Sequence, residues 1–200
     1  MKRQLPIDVH FSKKGWPQTH NNTIFLLTQK ESTMAEHLTV AQGDKIAQYE
    51  TLVPQIAALL KDEPNWVARM ANVSAALKTT FDWLWIGFYC VDASNNTLVL
   101  GPFQGPIACT RIPYGRGVCG AAWQSQQVQI VPNVHEFAGH IACSSAALSE
   151  IVLPIFNAQH EVIAVLDADA DELAQFDETD SLYLQKIIQL LCQDAAFSSF

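Results

Sequence analysis

The apolar pattern changes period along the chain, and that change decides the class of fold. Ile46, Tyr49, Val53, Ile56 and Leu60 recur at the three-and-four spacing of a helix. Pro54 stands inside that run, which predicts a kink or a helix that begins late. A second helical stretch opens at Pro64-Asn65, with Trp66, Met70, Val73 and Leu77 on one face. From residue 83 the pattern becomes that of strands. Residues 83–90, Trp-Leu-Trp-Ile-Gly-Phe-Tyr-Cys, are dense in aromatic and β-branched types. A polar turn at 92–96 leads to a second strand at 97–100, a hairpin. Residues 101–120 carry five glycines and three prolines and read as loop, ending in a short helix over 117–126. A short strand at 128–131 and an irregular stretch at 132–149 follow. Strands at 150–156 and 162–166 flank the turn 157–160. Asp177 then caps a last helix whose inner face holds Leu184, Ile187, Ile188, Leu191 and Ala195. Helices, then hairpins, then a helix predict an α+β domain: one antiparallel sheet with helices packed on one face.

Composition limits what such a domain does. Apolar residues make up 49% of the 200 and charged residues 16%, enough for a sizeable core and incompatible with global disorder. The net charge of −8 argues against general binding to nucleic acid or anionic membrane. No apolar run approaches the roughly 18 residues of a membrane span. The longest early run, Ile-Phe-Leu-Leu at 24–27, is too short for a signal-peptide core of about 7–15 residues. A cytoplasmic protein is expected. Residues 1–33 hold five of the 12 basic residues and no period, so they read as a poorly packed extension before a domain over 34–200. Met34 stands where a compact domain would start. There is no internal repeat and no P-loop. Gly115-Arg116-Gly117 with Gly120 only approaches a dinucleotide fingerprint, because no strand precedes it in the required way.

Five cysteines in a reducing compartment point to metal, redox or nucleophilic chemistry. Cys90 and Cys192 sit in apolar runs and read as small buried hydrophobes. Cys109, Cys119 and Cys143 fall in the two irregular stretches, the second of which also holds His135 and His140. These types permit a zinc site or thiol chemistry. Spacing disfavours zinc: there is no Cys-x-x-Cys, and the thiols lie 10 and 24 residues apart. In the redox reading a thiolate attacks, becomes a sulfenic acid, and a second cysteine resolves it as a disulfide. Cys119 would lie at the start of the short helix, which would lower its pKa. Cys143 lies closer in sequence to an acidic group. Glu150 opens one strand, and Asp167 and Asp169 alternate at the end of the next, so both point to one face. If the two strands pair, three carboxyls gather and raise one another's pKa. They could hold an ammonium group or keep one carboxyl protonated as a general acid. The alternative is a solvated turn with unrelated acids.

Residues 101–120, Gly-Pro-Phe-Gln-Gly-Pro-Ile-Ala-Cys-Thr-Arg-Ile-Pro-Tyr-Gly-Arg-Gly-Val-Cys-Gly, closely resemble the signature of the free methionine-R-sulfoxide reductases, enzymes built on a GAF domain. Gly139-His140-Ile141-Ala142-Cys143, Ser149-Glu150-Ile151-Val152-Leu153-Pro154, Val165-Leu166-Asp167-Ala168-Asp169 and Trp85-Ile86-Gly87-Phe88-Tyr89 are similar too. The resemblance covers roughly residues 34–196 and implies a single GAF-like domain. It implies reduction of free methionine-(R)-sulfoxide, with thioredoxin recycling the enzyme, no metal or organic cofactor, and a family in which homodimers fit. It implies Cys143 as nucleophile, Cys109 as resolving thiol and Cys119 as auxiliary thiol. Glu150 or Asp169 would protonate the sulfoxide oxygen and Asp167 would hold the substrate ammonium. Trp85 and Tyr89 would cage the S-methyl group, unless their face is simply core. One departure is visible: the family pattern has an acid directly after the third cysteine, where this chain has Ser144-Ser145. The competing readings are a GAF module that senses a small ligand without turnover, and a zinc-stabilised structural domain.

Overall fold

Local chemistry sets most element ends in the computed structural model, which describes residues 38–139 and 145–193. The expectations for residues 1–33, His140, Cys143, Ser144 and Ala195 lie outside the described residues. Asp44 caps α1 (Lys45–Leu60) by accepting from the Ala47 amide. The helix runs through Pro54 instead of beginning after it. Tyr49 and Leu52 before the proline and Ile56 and Leu60 after it are all buried, and that packing offsets the missing hydrogen bond. Asn65 caps α2 (Trp66–Phe81), whose Trp66, Met70, Val73 and Leu77 are buried as the spacing predicts. Asp177 and Asp180 form a reciprocal capping box on α4 (Glu178–Cys192). Asp180 is fully buried and also accepts from the Tyr49 hydroxyl (2.9 Å) and the Lys45 ammonium (2.6 Å), fastening α1 to α4.

The strands are β1 (Trp85–Asp92), β2 (Thr97–Gln104), β3 (Arg111–Pro113), β4 (Gln129–Val131), β5 (Ser149–Phe156) and β6 (Val162–Ala170). They form one antiparallel sheet in the order β3-β2-β1-β6-β5-β4. The β1–β2 hairpin is longer than its second strand predicts. Past an irregularity between Gly87 and Tyr89, Gly87 pairs with Phe103 and Ile86 with Gln104, so Gly101 and Pro102 lie within the strand. Likewise β6 continues beyond Leu166 through both aspartates.

The helices α1, α2 and α4 cover one face, over Ile86, Phe88, Ile151, Leu153 and Leu166. The short α3 (Gly117–Ser125) packs on the other, against Val152 and Val165. Both faces need cover because β1 and β5 are buried almost throughout. Among the described residues no helix is long and apolar enough to cross a membrane.

Candidate active site

Alternation along the central strands sorts their side chains. Trp85 and Tyr89 of β1 and Val152 and Val165 point to the α3 face. Glu150 of β5 is registered against Asp169 of β6, and Val152 against Asp167. The three carboxyls therefore share that face, as the sequence predicts. On the far side of β6, Trp85 pairs with Asp169 and Gly87 with Asp167.

Cys119 enters from the first turn of α3 and is buried. Its sulfur and one oxygen each of Glu150 and Asp167 all lie within 4.8 Å of one another. Burial pushes the Asp167 carboxyl up to about 7, although hydrogen bonds with Cys119 and Glu150 pull it down. Its Oδ1 is nonetheless buried without a partner. Burial, followed by the neighbouring Asp167 charge, raises both Glu150 and Asp169 well above the usual carboxylate range. No lysine, arginine or histidine among the described residues acts on any of the three.

The expectation that the helix N-terminus lowers the Cys119 pKa is corrected here. The thiol does sit in that first turn, yet it is pushed well up by burial and then by Asp167 and Glu150. A helix terminus contributes typically about 0.3–1 kcal/mol, which burial beside carboxylates outweighs.

Trp85 stacks between Tyr89 (centroids 5.8 Å apart) and Phe103 (5.3 Å), and its indole Nε1 is buried without a partner. The Tyr89 hydroxyl donates to the Cys109 carbonyl at 3.1 Å. Burial, then Asp167, raises its pKa, so it stays a neutral donor. Cys109 is disulfide-bonded, while Cys90, Cys119 and Cys192 are free thiols. Burial pushes Cys90 and Cys192 to about 11, in keeping with a packing role. Cys119 meets carboxyls; His135, from the other irregular stretch, lies in a single 3-10 turn, Val134–Glu136.

Gly87 is a site residue that the sequence reading passed over. A Cβ there would lie 2.4 Å from Phe103 Cβ and 2.6 Å from Trp85 Cη2. The missing side chain lets the indole fold across β1 opposite Asp167. A glycine amid aromatic strand residues is the signal that could have found it.

The GAF domain family matches residues 56–198. The free methionine-R-sulfoxide reductase of Neisseria meningitidis, solved in complex with its substrate, is 52% identical with a TM-score of 0.76, over 78% of this chain and 92% of that one. GAF domain-containing protein A of Dictyostelium discoideum is 58% identical over 79% of this chain and 99% of its own length. The free methionine-R-sulfoxide reductase of Escherichia coli is 44% identical over 74% and 88%. With this coverage the chain belongs to the free methionine-R-sulfoxide reductases built on a GAF domain.

Proposed function

We propose that the protein reduces free methionine-(R)-sulfoxide to methionine by thiol chemistry, with thioredoxin returning it to the dithiol state. The observation that carries this reading is the buried carboxyl cluster, on which no lysine, arginine or histidine among the described residues acts, set beside a thiol and an aromatic wall. A free amino acid brings the ammonium that the cluster lacks. Asp167, at about 7, ionises readily when that ammonium arrives. Glu150 and Asp169, held well above the usual carboxylate range by burial and then by Asp167, favour the protonated form that can serve the sulfoxide oxygen. Trp85 and Tyr89 offer the S-methyl group an apolar wall.

Cys143 attacks the sulfoxide, takes its oxygen as a sulfenic acid and releases methionine. The Cys109 thiol then displaces that oxygen as water, forming the disulfide. Two observations support these roles. Cys109 is oxidised here, whereas the Cys119 thiol is held well above neutrality and suits an auxiliary role. Gly139, the last described residue before Cys143, accepts with its carbonyl from the Gly117 amide at the start of α3, and Glu150 stands downstream of Cys143 near the start of β5. No membrane-crossing helix is present among the described residues, and a reducing cytoplasm suits a dithiol cycle.

The test is thioredoxin-coupled consumption of reductant with the separated epimers of free methionine sulfoxide. Turnover of the R epimer, with neither the S epimer nor an oxidised peptide consumed, is expected. Equal turnover of an oxidised peptide rejects a site closed around a free amino acid.

A further inference from the structure

The fold assembles a donor set that no spacing in the chain announces. Cys119 comes from α3, Glu150 from β5 and Asp167 from β6, and the sheet register and helix packing hold them together. We propose that these three side chains bind a divalent cation with affinity for sulfur, zinc above all, and that the bound ion inhibits the enzyme.

Four observations carry the binding. The three donor atoms lie within 4.8 Å of one another, whereas a tetrahedral zinc with bonds of roughly 2.0–2.3 Å spaces its ligands about 3.3–3.6 Å apart. Side-chain adjustment of about 1 Å therefore closes the set. Asp167, only 6% exposed, keeps Oδ1 without a partner, an acceptor that a cation would satisfy. No lysine, arginine or histidine among the described residues neutralises the cluster, and Asp169 adds a further acid beside Asp167. Finally, one thiolate with two carboxylates favours zinc, or cadmium as its softer analogue, over magnesium or calcium, which take about six or more oxygen ligands. Three protein ligands leave a fourth position for water.

The inhibition rests on the reductase reading given above, because there Asp167 receives the substrate ammonium and Glu150 serves as proton donor. An ion on both groups displaces the ammonium and removes the proton, so zinc should compete with methionine sulfoxide. The binding itself does not depend on that reading.

Cobalt titrated into the reduced, oxygen-free full-length protein reads the binding. A thiolate-to-cobalt charge-transfer band with intense visible bands of tetrahedral cobalt is expected, bleached by zinc. The signal should persist in Cys143→Ser and Cys192→Ser and vanish in Cys119→Ser. Asp167→Asn should keep the band but weaken cobalt binding about tenfold or more. A band that survives in Cys119→Ser, or an unchanged affinity in a folded Asp167→Asn, overturns the site. With free zinc set by a chelator buffer, zinc should raise the KM for methionine-(R)-sulfoxide in the wild type. The inhibitory concentration should be about tenfold higher or more in Cys119→Ser, each protein measured against its own zinc-free rate. Binding at the trio without such competition overturns the inhibition. Absence of turnover with either epimer in zinc-free buffer would instead reject the reductase reading and leave the cobalt result standing.

Discussion

Asp167 sits where the site's charges meet, registered against Val152 on one side and Gly87 on the other, with Cys119 above it. In the mechanism proposed above Asp167 partners the substrate ammonium and Glu150 or Asp169 donates the proton, and these two roles predict different kinetic defects. Asp167→Asn should chiefly raise KM, whereas Glu150→Gln and Asp169→Asn should chiefly lower kcat. Loss of a general acid typically costs on the order of 10²–10⁴ in rate. Steady-state kinetics on the R epimer decide this, and full activity in all three variants would remove the carboxyls from the chemistry. The ionised form of Asp167 is the one that binds, so kcat/KM should fall as pH drops through about 7, and that limb should flatten in Asp167→Asn. The thiols separate as cleanly. Without reductant, Cys143→Ser should release no methionine, while Cys109→Ser should release about one per enzyme but recycle slowly with thioredoxin. Stoichiometric release by Cys143→Ser would move the attack to another cysteine. At this scale much was legible in the chain: period-two alternation puts Asp167 and Asp169 on one face, and hairpin logic brings Glu150 to them. The state of Cys119 was not legible. Its helix position reads from sequence, but its burial against two carboxyls depends on how α3 docks.

Among the elements, the glycine in β1 and the arginine in α2 separate function from stability. Gly87→Ala places a methyl against Phe103 and Trp85, which must both shift. Overpacking of this kind costs typically about 1–3 kcal/mol, and it displaces the aromatic wall beside Asp167. Both a lower Tm and a raised KM are expected; an unchanged KM would take Trp85 out of substrate binding. Arg69 has a different task. It is buried on the opposite face and donates to the Leu60 and Glu63 carbonyls at the end of α1, and to those of Leu190, Leu191 and Gln193 at the end of α4. These carbonyls lie at or just past two helix ends, where intrahelical donors run out, although Leu60 and Leu190 also accept from the Glu63 and Gln193 amides, and the cation meets the negative end of both helices. Arg69→Leu should therefore cost about 3 kcal/mol or more, because several acceptors lose their donor. Its kcat at low temperature should match the wild type, which thermal melting and initial rates together check. Element types followed from local pattern, as the caps Asn65 and Asp177 and the helical faces illustrate. Element extents did not, because pairing overrides local propensity: β2 continues through Gly101 and Pro102 once β1 lies alongside, and α1 continues through Pro54 once both its halves are packed. That α3 lies apart from the other helices was hidden too, since its short apolar run fits either face.

For the whole molecule, the two-sided sheet explains how three acids come to be raised together: α3 closes over the face opposite the long helices and shuts water out from Glu150 and Asp167. Every helix and strand described lies beyond Met34, so a chain beginning there should fold and keep its activity; loss of either would show that residues 1–33 support the domain. The cluster also makes stability depend on pH in a definite direction. Glu150, Asp167 and Asp169 are raised in the folded state, so the native protein binds more protons than the unfolded chain, where such groups titrate near 3.9–4.3. Stability must then fall as pH climbs from about 4 through the folded value of Asp167, about 7. The lowered Asp92 and Asp177 act in the opposite sense, and their contribution disappears as pH drops below the usual carboxylate range. Tm should therefore peak in mildly acid solution and decline toward pH 8. Asp167→Asn removes a charge that the native state holds at a cost, so its decline should be shallower and its Tm at pH 8 above that of the wild type. The gain should be about 2–4 °C for each kcal/mol relieved. Melting curves of both proteins from pH 4 to 8 measure this directly. A wild-type Tm that rises to pH 8, with Asp167→Asn less stable there, would mean that the folded protein compensates the carboxyl cluster in a way these contacts do not provide.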